Sequence, residues 1–197
     1  MEKRLTKSSV DKQRIQKAVK EILIAIGENP NREGLKDTPR RVSEFYEEVL
    51  SGISQKAEDI LTIYYEEEKH DEIVLLRNIP FYSLCEHHLV PFFGKVHIAY
   101  IPHKKRLLGI SKLARLVDMY SKRLQLQERI TKHIADTIMK LAKPLGVLVV
   151  IEAEHLCISM RGIKKPGTLV VTSAVRGIFL KDAKTRSEAL ALINKGG

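Results

Sequence analysis

The stretch IVLLRNIPFYSLCEHHLVPFFGKVHIAYI, residues 73–101, predicts two β-strands of one sheet. Its first part, up to Cys85, is rich in β-branched residues, which favour an extended backbone. Its last part alternates, so that Val96, Ile98 and Tyr100 share one face of a strand. The fold that contains this pair of strands follows from the order and chemistry of the surrounding segments.

Two helices and two further strands follow the pair. Ser111 is expected to cap the first helix, and the second ends near Pro144. Val147–Ile151 is an apolar strand that continues into an alternating one, and Leu169–Leu180 is the last long strand. The inward-facing helical residues, spaced three and four apart, are Leu113, Leu116, Val117, Tyr120, Ile130, Ile134, Thr137, Ile138 and Leu141. The sequence therefore predicts an α+β fold, an antiparallel four-stranded sheet with two helices on one face, in the order ββααββ.

A helical extension precedes this unit. The apolar residues of its first helix are Ile15, Ala18, Val19, Ile22, Leu23 and Ile26. Thr38 is expected as the N-cap of a second helix. The inward residues of that helix are predicted to be Val42, Phe45 and Val49. At the other end of the chain, Thr185 and Glu188 predict a capping box for a closing helix. We therefore divide the chain into an N-terminal helical extension, 1–58, and a main domain, 59–197.

The composition, 44% hydrophobic and 29% charged over 197 residues, is that of a globular protein. A net charge of +10 favours anionic partners such as nucleotides, nucleic acid or an anionic membrane surface. No apolar run reaches the roughly 18 residues of a membrane span, and the first residues do not resemble a signal peptide. With only Cys85 and Cys157 available, we expect no disulfide scaffold but a cytoplasmic protein whose thiols bind metal or do chemistry.

The sequence Cys85-Glu86-His87-His88 predicts a metal site. A thiolate and an imidazole three positions apart at a strand end can reach one ion, and Cys157 is the only other thiol. Two cysteines and one histidine occur at catalytic zinc sites that keep a fourth position for water. A closed structural site with His87 or His155 as the fourth ligand is left open by the spacing. The mixed ligand set favours zinc, with iron as the alternative.

The segment around Cys157 is predicted to continue as a strand. With a period of two, His155, Cys157, Ser159 and Arg161 would then share one face, and the intervening apolar residues would face the core. Polar and charged side chains are unfavourable in an apolar core, so this set favours a functional surface.

The starts of the two helices carry residues suited to an anion or a purine. Ser111 and Lys112 lie at a helix N-terminus, where free N–H groups favour phosphate, and Arg115 follows one turn later. Glu128 begins the second helix and can accept hydrogen bonds from the N1–H and exocyclic amine of guanine. Solvated surface bases and an ordinary glutamate in a first helical turn are the alternatives.

Together, four motifs resemble the GTP cyclohydrolase I family. They are CEHH at 85–88, GISKLAR at 109–115, QER at 127–129 and HxCxxxR at 155–161, preceded by TPRRV at 38–42. The resemblance implies a tunnelling fold whose sheets join edge to edge, in a homo-oligomer, typically a decamer, with active sites between subunits. It also implies zinc-dependent hydrolysis of GTP at C8, release of formate and rearrangement to 7,8-dihydroneopterin triphosphate, the first step towards folate or pterin cofactors.

The resemblance assigns the chemistry to particular residues. Zinc would be held by Cys85, His88 and Cys157. His87 would act as the acid–base group beside the purine, at N7, and His155 would serve the later steps at the ribose ring oxygen.

The resemblance assigns substrate binding to a further set. The guanine edge would be read by Gln127 and Glu128, and the nucleotide with its triphosphate would be held by Ser111, Lys112, Arg115, Arg161 and Arg41. The last of these belongs to the extension, of the same or a neighbouring subunit.

Two other functions compete with this one. A zinc-stabilised nucleic-acid-binding protein suits the net charge, but only 6% of residues are aromatic and none is tryptophan, which leaves few stacking platforms. A related tunnelling-fold enzyme, such as the nitrile reductase of queuosine synthesis, would use a cysteine nucleophile and need no CEHH. We expect neither nucleic acid nor membrane as a partner, and the sequence identifies no regulatory protein. His70, His97, His103 and His133 match no motif and are expected to be structural or solvated.

Overall fold

The computed structural model describes residues 10–61, 63–65 and 70–195. The helices in these ranges are α1 (Lys12–Ala25), α2 (Thr38–Val49), α3 (Ala57–Ile60), α4 (Ile110–Ser121), α5 (Gln127–Ala142), α6 (Leu156–Ser159), α7 (Ile178–Lys181) and α8 (Ala183–Asn194). The strands are β1 (Ile63–Tyr65), β2 (Val74–Cys85), β3 (Pro91–Ile101), β4 (Arg106–Leu108), β5 (Leu124–Gln125), β6 (Gly146–His155) and β7 (Leu169–Gly177). A short 3-10 helix, Ser51–Ser54, follows α2.

The central sheet has the strand order β5-β2-β3-β6-β7. Its four long strands pair antiparallel, and the elements β2, β3, α4, α5, β6 and β7 follow one another in the predicted ββααββ order. This confirms the α+β, tunnelling-fold prediction. The count of four strands is wrong, because β5 adds a two-residue parallel pairing in which Leu124 and Gln125 lie opposite Leu84 and Cys85. A separate two-stranded sheet pairs β1 with β4.

The main core lies between the sheet and helices α4 and α5. Val96, Ile98 and Tyr100 face this core as predicted, and Leu113 and Ile134 are fully buried against it. Since fully burying one such side chain stabilises the fold by about 1.5–3 kcal/mol, this layer holds both helices on the sheet. Helices α7 and α8 cover a second, smaller core on the opposite face.

The predicted inward faces of the extension are only partly buried. Helix α1 packs mainly against α2, and its buried residues are Val19 and Leu23. Ile22, Ile26 and Phe45, predicted to face inward, are 58%, 68% and 45% exposed in the single chain. A two-helix layer buries one narrow stripe of each helix, so the remaining apolar residues are not covered by the described residues of the chain.

Two helices begin one or two residues away from the predicted caps. Thr38 is the first residue of α2 and Asp37 occupies the N-cap position. Gly109 is the N-cap of α4, so Ser111 is its second helical residue, not the cap. The extended backbone of Gly109 permits the earlier start, because it already holds the non-helical conformation that an N-cap requires.

The C-terminal elements also depart from the prediction. Strand β7 ends at Gly177, with φ of 63°, and the chain turns into α7 instead of continuing as a strand to Leu180. Helix α8 is capped by Asp182, whose carboxylate accepts hydrogen bonds from the backbone N–H of Thr185 and the residue before it. The expected capping box of Thr185 and Glu188 is therefore wrong, because an earlier aspartate already accepts from the free N–H groups.

The division after residue 58 stays a prediction. Helix α3 lies across it, and Ala57 is buried in the main core. Among the described helices, none combines the length and apolar character that crossing a membrane requires.

Gly94 provides a test of the β3–β6 pairing. A Cβ at this position would lie 1.9 Å from the backbone oxygen of Glu152, which cannot move without breaking the ladder. We expect Gly94→Ala to lower the free energy of unfolding by about 1–3 kcal/mol through overpacking. The control is Gly34→Ala, whose Cβ would meet only the flexible end of Arg32. Urea denaturation at one fixed protein concentration measures both, and equal midpoints would contradict the packing argument.

Candidate metal centre and active site

A tight turn places His88 beside Cys85. Cys85 is the last residue of β2, and its carbonyl accepts hydrogen bonds from the backbone N–H of His88 and Leu89, at 3.3 and 2.8 Å. Leu89 adopts a positive φ of 55°, and Cys85 N–H donates to the carbonyl of Val90 at 2.9 Å. The chain reverses within these residues, so Cys85 Sγ and His88 Nδ1 come to lie 3.8 Å apart.

Cys157 approaches from the other side on a helical turn. The predicted strand through residues 155–161 is wrong, because β6 ends at His155 and α6 follows at once. The partner strand β3 begins at Pro91 and its Phe92 pairs with His155, so the ladder on this side ends there. Consequently His155, Cys157, Ser159 and Arg161 do not share a strand face. Met160, which was expected in the core, is 64% exposed.

The ligand atoms of Cys85, His88 and Cys157 all lie within 4.8 Å of one another. In the described part of the chain, only these three residues form such a group, and neither His87 nor His155 belongs to it. Tetrahedral zinc holds sulfur and nitrogen ligands about 3.5–3.8 Å apart, so the three donors need only a small contraction to bind it. Both cysteines are free thiols. The donor set therefore fits zinc by both chemistry and spacing.

Burial and the neighbouring Cys85 raise the pKa of the Cys157 thiol, while Arg161 opposes part of this shift. A metal cation would replace the proton, since thiolates are the form that binds zinc. The positive charge of Arg161, an exposed residue four positions after Cys157, therefore favours the thiolate.

His155 is held against the core at the edge of this cluster. Its ring stacks on Phe92 with centroids 4.6 Å apart and planes 7° apart. Its Nε2 lies 2.8 Å from Oε1 of Gln127, which is only 1% exposed. Burial lowers the pKa of His155, and the carboxylate of Glu128 opposes this. The start of α5 thus places near His155 both residues that are predicted to read guanine. Gln127 is buried, whereas Glu128 is exposed.

An ion pair that the sequence did not predict joins the turn after β2, residues 85–90, to α5. Arg129 donates to both carboxylate oxygens of Glu86, at 2.5 and 3.0 Å. The hydrogen bond from Arg129 lowers the pKa of Glu86. Glu86 N–H also donates to the backbone carbonyl of Gln125. Both charged residues lie inside the quoted motifs, CEHH and QER, which was the available signal, but no spacing rule pairs residues 43 positions apart.

The predicted triphosphate residues on α4 lie far from this cluster. The last residue of α4, Ser121, accepts a hydrogen bond from Ser83 Oγ, two positions before Cys85. Ser111 lies ten residues earlier along the helix, about 15 Å away at the rise of an α-helix. Lys112 and Arg115 share that distant half of α4. A single chain therefore does not bring them to the metal ligands.

Two further predicted residues are exposed. Arg41, in α2, has 70% of its side chain exposed and lies 3.8 Å from the carboxylate of Asp37. His87 is exposed in the turn after β2, with its ring 6.1 Å from that of His88 and perpendicular to it. Both side chains are accessible from solvent.

The sequence model of the GTP cyclohydrolase I family matches residues 15–194. The chain belongs to this family. A GTP cyclohydrolase 1 from Clostridioides difficile (strain 630) is 62% identical over 186 residues, which cover 94% of this chain and 98% of the relative. One from Caldanaerobacter subterraneus subsp. tengcongensis is 60% identical over 185 residues, with 94% and 98% covered. These matches confirm the resemblance that the four motifs indicated.

The solved structure of the archaeosine synthase QueF-Like in its apo form has 22% identity to this GTP cyclohydrolase I family member. It covers 53% of this chain and 93% of its own, with a TM-score of 0.45. At that level the likeness decides nothing about the present site.

The metal site is tested by loading and substitution. We expect one zinc ion per chain in the purified protein, and its loss on Cys157→Ser, because two ligands seldom retain a divalent ion where three held it. Elemental analysis after gel filtration gives the stoichiometry, and cobalt substitution reports thiolate ligation by its absorption. His103→Ala, outside the cluster, is the control. Full zinc occupancy in Cys157→Ser would contradict the assignment.

Proposed function

We propose that this chain is a GTP cyclohydrolase that opens the imidazole ring of guanine in GTP at C8. Formate leaves, and the remaining atoms rearrange to 7,8-dihydroneopterin triphosphate, a precursor of folate or other pterin cofactors. The observation that carries this proposal is the Cys85–His88–Cys157 cluster lying beside His155 and the start of α5 in a member of this family.

The three ligands are proposed to hold zinc. When bound, zinc lowers the pKa of water towards about 7 and so supplies hydroxide at neutral pH. The contribution of the chain is to fix the ligands: the turn after β2 sets Cys85 and His88, and α6 sets Cys157. The ion pair between Glu86 and Arg129 fixes the position of this turn relative to α5, the helix that carries the residues proposed to bind the base.

Proton transfer is proposed to fall to two histidines. His87 is exposed beside the ligand His88 and is placed to give a proton to N7 of the purine. His155 is fixed by Phe92 and Gln127 and is proposed to serve the ribose ring oxygen after the ring has opened. An imidazole changes its charge near neutral pH, so it can both donate and accept at low cost.

Recognition of guanine is proposed to depend on Glu128. Its carboxylate is exposed at the start of α5 and close enough to His155 to act on its charge. A carboxylate accepts two hydrogen bonds side by side, which matches the N1–H and exocyclic amine of guanine. Gln127 lies beside it but is buried. Arg161, close to Cys157, is proposed to meet the phosphates.

The remaining phosphate contacts are proposed to come from a neighbouring subunit. Ser111, Lys112 and Arg115 are on the distant half of α4, so a complete site needs the α4 of another copy, and we propose a homodecamer with inter-subunit sites. Two features support association. Strand β7 ends the sheet and exposes Leu169 and Val171, and apolar residues of α1 are left exposed by the described part of the chain.

Three further expectations stay with this proposal. Arg41 would reach the triphosphate from the extension, residues 1–58, of the same or a neighbouring subunit. The enzyme would work in a reducing cytoplasm, which suits two free thiols at a metal site. Nucleic acid and membranes are not proposed as partners.

The activity and the role of His87 are tested together. We expect the zinc-loaded protein to convert GTP into formate and a pterin that fluoresces after oxidation. His87→Ala should retain zinc and lose about 100-fold or more in kcat, since general acid–base groups contribute about that much. The control, His103→Ala, should keep both. Absence of product from the zinc-loaded wild type would overturn the proposed function, while full turnover by His87→Ala would overturn only this residue's role.

Shared sites are tested by mixing two inactive variants. Lys112→Ala and His87→Ala would each inactivate a homo-oligomer. If Lys112 serves the site of a neighbour, hybrids from co-expression of both chains regain about a quarter of the wild-type activity, because a quarter of the sites combine two intact halves. Differently tagged chains allow the hybrids to be purified. Hybrids as inactive as the parents would show that each chain supplies both residues to one site.

A further inference from the structure

The side-chain amide of Gln127 has its orientation fixed by what surrounds it. Its Nε2 lies 3.0 Å from the carbonyl oxygen of Ile151 and 2.9 Å from that of Val170. Carbonyl oxygens only accept hydrogen bonds, so the atom facing them must be the NH2 group. The amide oxygen is therefore the atom that faces His155, at 2.8 Å from Nε2.

Two threonines support the same orientation. Thr131 Oγ1 donates to the backbone carbonyl of Gln127 at 2.8 Å, which uses its one hydroxyl proton. Thr172 Oγ1 lies 2.7 Å from Thr131 Oγ1 and must therefore donate to it. The lone pairs of Thr172 remain to accept from Nε2 of Gln127, at 3.1 Å. Every donor in this buried network thus meets an acceptor in one arrangement of protons, and a flipped amide would place an oxygen against two carbonyls.

This arrangement determines where the proton of His155 lies. An amide oxygen cannot donate, so Nε2 of His155 must carry the hydrogen in the bond to Gln127. The neutral imidazole then has its lone pair on Nδ1, for which the described part of the chain offers no hydrogen-bond partner. The stack on Phe92 holds the ring plane, and a half-turn of the ring within that plane would place Cε1 against the amide oxygen, so the hydrogen bond selects the observed orientation.

We propose that Gln127 is a positioning residue that holds His155 in the Nε2–H tautomer and leaves Nδ1 as the atom that exchanges a proton with substrate. This inference rests on the proposed function and refines it. Both amide protons of Gln127 are already directed at protein acceptors, so its side chain has no donor to offer the base. Reading of guanine by side chains then falls to Glu128.

The tautomer is measured directly on the zinc-loaded protein. Magic-angle-spinning NMR of protein labelled with 15N-histidine at pH 8 distinguishes protonated from bare ring nitrogens, and His155→Asn identifies the signal of this residue among the seven histidines. We expect a protonated Nε2 and a bare Nδ1. A bare Nε2 with a protonated Nδ1 in the wild type would overturn the inference, whether or not the protein turns over GTP.

A matched pair of variants tests the role of the amide. Gln127→Met keeps the size of the side chain and removes the acceptor, so we expect a mixture of tautomers, a kcat at least about tenfold lower and a KM for GTP within about twofold. Gln125→Met is the control, because Gln125 is equally buried on the adjoining strand and its amide donates to Tyr120 instead. It should leave the tautomer of His155 unchanged.

Two results separate this inference from the proposed function. An unchanged tautomer in Gln127→Met would remove Gln127 from its positioning role while the GTP assay of the wild type stands. A wild type without GTP turnover but with the expected tautomer would overturn the proposed function and leave the hydrogen-bond argument intact. If Gln127→Met fails to fold, the wild-type spectrum alone still decides where the proton lies.

Discussion

The cluster of Cys85, His88 and Cys157 depends on the antiparallel pairing of β3 with a strand on each side. Because β2 and β6 both run opposite to β3, they run in the same direction and end at the same edge of the sheet. Phe92 lies opposite Ser83 on one side and His155 on the other, so each cysteine lies two residues beyond the residue that pairs with Phe92. Two strands that flank a third are about 9–10 Å apart, too far for one ion to bridge. The helical turn α6 closes this gap, which a straight strand would have left open.

The fold was predictable where an alternating or helical pattern coincides with burial. Val96, Ile98 and Tyr100 face the main core because each of them is paired on both sides of β3, so that period two holds there. The same rule fails after His155, where β3 offers no further partner. It also fails in α1, whose apolar residues such as Ile26 are more numerous than one neighbouring helix can bury. Pattern rules thus succeed only where the tertiary partner that they assume is present.

The grouping of Cys85, His88 and Cys157 was predictable from the sequence, whereas the contacts that support this cluster were less so. Thiol and imidazole groups have few alternative uses in a chain with two cysteines, so Cys85, His88 and Cys157 could be selected by residue type and spacing. The hydrogen bonds from His155 to Gln127 and from Arg129 to Glu86 join positions 28 and 43 residues apart, and only the folded sheet brings them together. Side chains that orient the ligands are therefore invisible to spacing, although both pairs use residues of the recognised motifs.

The glycine after α2 has a mechanical consequence. Gly52 approaches the carbonyl of Lys122 so closely that a Cβ would lie 2.8 Å from that oxygen, and its N–H donates to the same atom. The carbonyl of Ser121, one residue earlier, accepts from Ser83 on β2. The C-terminus of α4 thereby connects the segment after the N-terminal helices to β2, the strand that ends at Cys85. A displacement of those helices would therefore be transmitted to β2, whose last residue is Cys85, through these two hydrogen bonds.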